Sequence, residues 1–310
     1  MNERKPPRSR GRPKPGGPAK KPAKRRDRHA SGETSIWLSG AHTVIEALAN
    51  PRRRCRRLLL GPEAAQRHGP RIDALLAARR ARDPAEAPSL EAVAQGDIAR
   101  NLPEGAVHQG LALLARPLAQ PDLRAVLAGP GTRGAAEGRA AEGRAAEGRA
   151  AEGRAVVVVL DQVTDPQNVG AVLRSAAAFG ARALITTRRH APPESGSLAK
   201  AASGALEHVP YLQVGNLARA LETLKTAGFW GLGLSGEAEQ TLAEADPGGA
   251  LALVLGAEDT GLRRLTREAC NIMARLPTRP PIDALNVSNA AAAALYELLG
   301  RIRGTRGPNP

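Results

Sequence analysis

Aromatic residues are almost absent from this chain of 310 residues, in which phenylalanine, tryptophan and tyrosine each occur only twice. A core must therefore be built from alanine, leucine and valine, and a hydrophobic content of 42% is sufficient for one. Cysteine is equally scarce, with only Cys55 and Cys270. They lie far apart and match no CxxC or metal-ligand spacing, so we expect a reducing compartment and no metal site.

Long apolar runs are missing as well. No stretch of 18 consecutive apolar residues occurs, and the first residues are rich in Lys, Arg, Pro and Gly instead of forming an apolar segment. We therefore expect neither a membrane span nor a secretory signal, and we expect a cytoplasmic protein.

The positive charge is concentrated at one end of the chain. The formal net charge is +15, and residues 1–30 hold 12 Lys and Arg against Glu3 and Asp27. Residues 1–34 contain almost no large apolar residue, which predicts a disordered tail. Such a tail either keeps the protein in solution or attracts a polyanion, whose counterions are released as Lys and Arg bind. Composition leaves both alternatives open.

Composition also predicts the domain organisation. Short apolar segments over 35–116 predict a small α/β domain, and residues 155–303 predict a second one, followed by a short tail at 304–310. Residues 117–154 between them include repeats of AAEGR, whose five-residue period keeps no apolar helix face. We expect a flexible linker that tethers the first domain loosely. The arginine cluster 52–57 is then either a mobile phosphate clamp or a solvated basic turn.

In the second domain, strands alternate with helices. The segment "VVVVLD" is typical of a strand buried on both faces, and the alternation predicts a largely parallel sheet, which binds ligands at the carboxyl ends of its strands. The segment "GLGLSG" (231–236) matches GxGxxG, but its glycines lie inside a predicted strand. This context disfavours a dinucleotide-binding loop.

The segment "DPQNVGAVLRSAAAFGA" (165–181) is an apolar helix that contains one arginine, Arg174. We expect Asn168 to cap this helix. Helical side chains lean toward the N-terminus, so Arg174 is expected to lie over Gly170 beside a gap that suits a phosphate or a ribose. Alternatively, the arginine snorkels to solvent or pairs with a core carboxylate.

Two later segments carry further candidate residues. "LVLGAEDTGL" (253–262) predicts a buried strand that ends at Gly256 and is followed by Glu258, although an ordinary strand-to-helix loop would have the same spacing. In "RLPTRPPIDALNVSNAAAA" (275–293) the prolines forbid a helix until Asn286 and Ser288. These two residues fall in the first turn of an alanine-rich helix, where they are either functional or only caps.

Together, in order and spacing, the three segments resemble the motifs of the SpoU (TrmH) family of RNA 2′-O-ribose methyltransferases, of the SPOUT class. The earlier segments "WLSGAHTVIEAL" and "VHQGLALLA" resemble a ribosomal-protein-like RNA-binding domain. That domain occurs in the branch of the family that methylates a guanosine of 23S rRNA. The resemblance therefore implies a substrate-binding domain at 35–116 and a trefoil-knotted methyltransferase domain at 155–303.

The resemblance also implies the chemistry. A methyl group passes from S-adenosylmethionine to a ribose 2′-hydroxyl of RNA, with 23S rRNA as partner, in a homodimer whose active site is completed across the subunit interface. The cofactor-binding positions of the family correspond to Gly256, Leu276 and Leu285. The catalytic arginine corresponds to Arg174, and the other active-site positions correspond to Asn168, Glu258, Asn286 and Ser288. One departure is Ala284, where the family usually has serine.

Other functions remain open at this point. A tRNA 2′-O-methyltransferase would share the chemistry, and a non-catalytic RNA-binding or ribosome-assembly factor could share the fold. A nicotinamide-dependent enzyme is disfavoured by the glycine context given above.

Overall fold

The computed structural model describes residues 35–127, 154–281 and 284–300. The expectations for the basic tail, the AAEGR repeats and the last ten residues lie outside these ranges. Within the described part of the chain, no helix is long and apolar enough to cross a membrane.

A four-stranded sheet forms the first part of the described chain, in the order β1-β4-β2-β3. β4 is antiparallel to both neighbours, and β2 and β3 are parallel. The strands are β1 (Ile36–Ser39), β2 (Cys55–Leu60), β3 (Ser89–Ala92) and β4 (Leu111–Ala115). The inner strand β4 is buried along its whole length, as its unbroken apolar sequence predicts.

Three helices connect these strands: α1 (Ala41–Ala49), α2 (Pro62–Arg82) and α3 (Gln95–Arg100). α2 begins with a proline at its first position and ends with arginines in its last turn, both of which suit the helix ends. Its Arg79 is buried and donates to the backbone oxygens of Ala47, Leu48 and Asn50, at 2.6 to 3.0 Å. The guanidinium thus satisfies carbonyls at the C-terminal end of α1 that have no partner in the helix.

The second sheet has six strands, all parallel, in the order β10-β8-β9-β5-β6-β7. The strands are β5 (Val156–Asp161), β6 (Ala183–Thr187), β7 (Tyr211–Val214), β8 (Trp230–Leu234), β9 (Leu251–Gly256) and β10 (Ile272–Ala274). The prediction of an α/β domain with a parallel sheet is therefore confirmed.

Helices cover both faces of this sheet. They are α4 (Leu123–Leu127), α5 (Pro166–Phe179), α6 (Gly196–Ala202), α7 (Leu217–Thr226), α8 (Leu242–Ala245), α9 (Arg264–Glu268) and α10 (Val287–Leu295), the last followed by a π-helical turn at Tyr296–Gly300. In β5, Val156 and Val158 pack into one apolar cluster, and Val157 and Val159 pack into another on the opposite face. This explains the run of four valines.

The first apolar cluster is shared by both sheets. It runs from Leu38 and Val44 of the first sheet layer through Leu198 and Ala199 of α6 to the strands of the second sheet. The described residues from 35 onward accordingly belong to one compact unit. The expectation of a loosely tethered first domain is therefore wrong. The composition of the repeat between the two sheets gives no information about how closely the sheets pack.

A buried ionic cluster joins the two sheets. Arg53, with 1% of its surface exposed, is paired with Glu207 and Glu194 and donates to the backbone oxygen of Arg116 at 2.9 Å. Asn50 also donates to Glu207, at 2.7 Å. Burial raises the pKa of the Glu194 carboxyl, although Arg53 opposes the shift.

The arginine cluster 52–57 is consequently not a mobile clamp. Arg53 lies in the ionic cluster, and Arg52 donates to the backbone oxygen of Glu207 at 3.3 Å. Arg57 makes a bidentate pair with Glu91, at 2.6 and 2.7 Å, over the Trp37 ring. The charge pattern alone could not show that these cations have partners more than 30 residues away.

The two cysteines are free. Burial raises the pKa of the Cys55 thiol to about 11, and it does the same for Cys270. Both side chains are therefore protonated, unreactive thiols at neutral pH.

Removing the Glu207 carboxylate should destabilise the protein strongly. We expect Glu207→Ala to lower the free energy of unfolding by about 3–5 kcal/mol, since it leaves the buried Arg53 guanidinium without its main partner. The measurement is urea denaturation followed by circular dichroism.

The matched control is Glu268→Ala. Glu268 pairs with Arg264 at 2.7 Å, but both side chains are more than half exposed. Exposed pairs of this kind contribute about 0–1 kcal/mol. Equal losses for the two variants would contradict the role assigned to the buried cluster.

Candidate active site

A cavity of about 320 Å³ opens at the carboxyl ends of β8, β9 and β10. This edge of a parallel sheet is where α/β proteins bind ligands. The cavity is bounded by the turn after β9, the extended segment after β10 and the start of α10. Its lining includes Leu234, Ser235, Gly236, Glu237, Gly256, Glu258, Asp259, Arg267, Leu276, Thr278, Ala284 and Leu285. The three residues predicted to bind a cofactor, Gly256, Leu276 and Leu285, thus lie around one cavity.

The turn after β9 is closed by a very short approach between two glycines. A Cβ on Gly256 would overlap the backbone of Gly261 and come within 2.5 Å of the Leu262 nitrogen. Gly261 has a φ of 62°, which favours glycine, and its N–H donates to the Ala257 oxygen at 2.8 Å. The turn therefore requires both glycines, and it holds Glu258 at its tip.

Glu258 accepts three hydrogen bonds on one carboxylate oxygen. Its Oε1 receives Asn286 Nδ2 at 2.5 Å, the Val287 N–H at 3.2 Å and Asn168 Nδ2 at 3.3 Å. Asn286 Nδ2 also donates to Asn168 Oδ1 at 3.1 Å. Three predicted residues from three separate elements therefore meet at one point. Among the described residues no hydrogen bond is donated to the second oxygen, Oε2.

Ser288 completes this polar cluster from the start of α10. Its N–H and hydroxyl donate to Asn286 Oδ1, at 2.9 and 2.6 Å. Asn286 is therefore the cap of α10, and capping was one of the two alternatives that the sequence left open for this residue. The cap uses Oδ1 and leaves Nδ2 for Glu258, so capping and membership of the cluster are compatible.

The exit of the β9 turn is held by a buried carboxylate. Asp161, at the end of β5, is fully buried and accepts the Arg263 N–H at 3.0 Å and its Nε at 2.7 Å. This brace fixes the turn that carries Glu258 to the neighbouring strand. An aspartate at the end of a strand gives no indication of its partner 102 residues away, so this brace could not be predicted from the sequence.

α5 begins differently from the prediction. Its cap is Asp165, whose side chain accepts the Gln167 N–H at 3.0 Å, so the expectation that Asn168 caps the helix is wrong. Asn168 lies inside the first turn, where its side chain is free to reach Glu258. The proline at position 166 fixes the first helical residue, which moves the cap to the residue before it.

The predicted gap at Gly170 does not exist. A Cβ there would overlap Ala201 and lie 2.8 Å from the Ala202 nitrogen, so the glycine is required for close packing between α5 and α6. Arg174 itself is exposed, and its side chain makes no hydrogen bond or ion pair with the described residues. It lies six residues beyond Asn168, about 9 Å along the helix and on another face. Within one chain, Arg174 is therefore separate from the polar cluster.

The charged residues of the cavity lining are mostly acidic. Glu237, Glu258 and Asp259 contribute three carboxylates, and Arg267 is the one cation among the lining residues. Such a lining suits a ligand with a positive centre and an apolar body. It does not suit a pyrophosphate, because Gly231 and Gly233 of "GLGLSG" lie in β8 and the segment leads into no helix that starts at this point.

The glycines of β8 have a packing role that sequence analysis did not assign. A Cβ on Gly233 would lie 2.6 Å from Met273 Sδ and 2.9 Å from a methyl carbon of Leu262. The last glycine of the segment, Gly236, lines the cavity with Ser235 and Glu237. In the sequence, these lining residues could have been found from their position directly after a buried strand.

Residues 155–296, which include the parallel sheet and the candidate site, match the model of the SpoU rRNA Methylase family. The chain is similar to 23S rRNA (guanosine-2′-O-)-methyltransferase RlmB of a Burkholderia species, with 50% identity over 142 residues. It is also similar to RlmB of Pseudomonas aeruginosa, with 45% identity over 144 residues. Each alignment covers 46% of this chain and 58% of the relative, so it spans little more than half of the curated proteins.

Solved structures show the same fold over a larger part of the chain. The SpoU methyltransferase AviRb from Streptomyces viridochromogenes, in complex with AdoMet, has a TM-score of 0.65 at 22% identity, covering 88% of this chain and 92% of that one. The AdoMet-bound rRNA methyltransferase from Sinorhizobium meliloti has a TM-score of 0.64 at 19% identity, covering 86% and 87%. At these identities the likeness concerns the fold.

A methyl group at position 256 should disrupt the turn. We expect Gly256→Ala to destabilise the protein by about 1–3 kcal/mol, because the added Cβ overlaps backbone atoms that cannot rotate away. Thermal unfolding followed by circular dichroism measures the loss.

Gly215→Ala is the matched control, since a Cβ at position 215 meets nothing within 4 Å. This variant should unfold within about 0.5 kcal/mol of the parent protein. A Gly256→Ala variant as stable as Gly215→Ala would show that the turn accommodates a side chain.

Proposed function

We propose that this chain transfers a methyl group from S-adenosylmethionine to a ribose 2′-hydroxyl of RNA, and that the target is a guanosine of 23S rRNA. The proposal rests above all on the position of Glu258, where the cavity meets the polar cluster. This residue belongs both to the cavity lining and to the polar cluster with Asn168 and Asn286. A bound cofactor and a bound ribose would therefore meet beside one carboxylate. The similarity to the RlmB proteins supports the choice of nucleotide.

The cavity fits S-adenosylmethionine in size and charge. Leu276 and Leu285 offer apolar surface, and Gly256 contributes the end of β9 to the cavity wall. The carboxylates of Glu237 and Asp259 match a positively charged sulfonium or ammonium group, and Arg267 matches a carboxylate. When bound, the cofactor supplies an electrophilic methyl group on a sulfonium, which becomes a neutral thioether after transfer.

The polar cluster is suited to holding the nucleophile. Because the three donors to Glu258 all bind Oε1, its Oε2 is available to accept a hydrogen bond from a ribose 2′-hydroxyl. In our proposal this carboxylate orients the hydroxyl and receives its proton as the new O–C bond forms. Asn168 and Asn286 fix the carboxylate, so alignment contributes a large part of the rate enhancement.

Arg174 completes the site from a second copy of the chain in this proposal. Its guanidinium is about 9 Å along α5 from Asn168 and has no partner among the described residues, so it is free to act in another subunit. A guanidinium stays protonated at neutral pH and therefore cannot take up the proton of the hydroxyl. It can stabilise the developing alkoxide and bind the adjacent phosphate. The active enzyme is then a homodimer.

The remaining parts of the proposal concern the fold and the substrate. We place a trefoil knot in the chain that follows β9 and β10, where the turn after β9 and the segment before α10 bound the cavity. The sheet at 35–116 is the RNA substrate-binding domain, with the linker at 117–154, and the protein acts in the cytoplasm on large-subunit rRNA. A tRNA substrate is the alternative, and a non-catalytic assembly factor is disfavoured by the assembled polar cluster.

Mapping of 2′-O-methyl groups tests the function directly. Purified protein with labelled S-adenosylmethionine should methylate 23S rRNA from a strain that lacks the protein, at one guanosine that the parent strain modifies. Transfer to tRNA instead would establish the alternative substrate. Cofactor binding without transfer to either RNA would contradict the enzymatic proposal.

Mixing two inactive variants tests the shared active site. We expect Arg174→Ala and Glu258→Ala each to lose at least 100-fold in turnover, while S-adenosylmethionine binding by Arg174→Ala changes less than threefold. In a mixed dimer, one site has both mutated residues and the other has neither. Activity should therefore return to roughly half of the parental level per mixed dimer.

The controls are each variant re-mixed with itself, which should stay inactive. Mixed dimers that remain inactive would show that Arg174 and Glu258 act within one chain. Calorimetric titration of the cofactor separates loss of binding from loss of catalysis.

A further inference from the structure

We propose that the turn Arg188–Arg189–His190, after β6, binds the phosphate backbone of the RNA next to the target ribose. We call these three residues the basic turn. The inference rests on the proposed function, because it assigns a substrate contact to the same edge of the sheet. It stands on the exposure, charge, position and anchoring of the turn.

The basic turn carries exposed cations without acidic partners. All three residues are exposed, and neither arginine side chain makes a hydrogen bond or ion pair within the described ranges. In this respect the turn resembles Arg174 and differs from Arg263 and Arg264, which are paired with Asp161 and Glu268. The nearest acid along the chain, Glu194, is turned inward to Arg53. The positive charge of the turn is therefore available to a ligand.

The sheet register places the basic turn level with the candidate active site. Leu160 of β5 is paired with Thr186 of β6 on one side and with Leu255 of β9 on the other. Arg188 and Ala257 each lie two residues beyond this row of paired residues, Arg188 after Thr186 and Ala257 after Leu255. β6 and β9 are separated by two strand spacings, or about 10 Å. A strand of RNA with its ribose at Glu258 has its next phosphates within this range.

The backbone of the turn is held at both ends, so its side chains project from a fixed position. The Arg188 N–H donates to the Val214 oxygen at 2.8 Å, and the Ala191 N–H closes the turn on the Thr187 oxygen at 3.1 Å. Beyond it, the Pro192 oxygen accepts Tyr211 Oη at 2.8 Å and Gln213 Nε2 at 3.0 Å. A fixed backbone lowers the entropy lost when the cations bind phosphates.

Phosphate contacts position a nucleic acid without reading its sequence. The basic turn should therefore set the register of the RNA strand over the cavity and contribute equally to target and non-target sequences. This role differs from that of Glu258, which touches the reacting ribose.

The test removes two charges from the turn. We expect Arg188→Gln/Arg189→Gln to weaken binding of a 23S rRNA fragment on the order of tenfold at 0.15 M salt. The slope of log K against log salt should fall by about 1.5, as expected for two lost phosphate contacts. S-adenosylmethionine binding should stay unchanged, and Arg188→Lys/Arg189→Lys should restore the slope.

The matched control is Arg124→Gln/Lys225→Gln, which removes the same charge from α4 and α7, away from the basic turn. It should change the slope by less than 0.5. An unchanged slope in the basic-turn variant, or an equal change in the control, would overturn the inference. If the parent protein binds the cofactor but methylates no RNA, the proposed function fails instead, so the two failures are distinguishable.

Discussion

The buried contact of Arg53 with Glu207 and Glu194 is the interaction on which the arrangement of the two sheets depends. A buried charged triad is stable only when every member is paired, so the first sheet cannot separate from the second without exposing or orphaning these groups. The shared apolar cluster adds a non-directional attraction, but the ion pairs fix the orientation. The compact unit formed by the described residues from 35 onward follows from both.

Buried carboxylates also connect the contact between the two sheets to the sheet edge that carries the candidate active site. Glu194 accepts the Leu118 N–H at 2.8 Å as well as Arg53, so it ties the segment after β4 to the segment after β6. On the other side of β5, the Asp161–Arg263 pair ties the β9 turn to the sheet. The candidate active site and the basic turn are therefore both anchored by buried carboxylates, which explains why two exposed loops have defined positions.

Much of the fold could be predicted from the sequence, because its signals are local. The run of valines predicted a strand buried on both faces, and the alternation of elements predicted a parallel sheet. The partners of Arg53, Gly170 and Asp161 could not be predicted, since each depends on a contact between distant elements. Gly170 shows this best: its missing side chain suggested space for a ligand, whereas the space is filled by α6.

The polar cluster shows how far a resemblance extends and what geometry adds. The motifs indicated Asn168, Glu258, Asn286 and Ser288 individually, but only the structure shows that one carboxylate oxygen receives all three donors and the other none. In the proposed reaction, one oxygen of Glu258 therefore holds the polar cluster together, and the other is available to the ribose hydroxyl. Arg174 lies apart from this cluster on α5, so the proposed reaction uses its guanidinium only if a second copy of the chain brings it to the site.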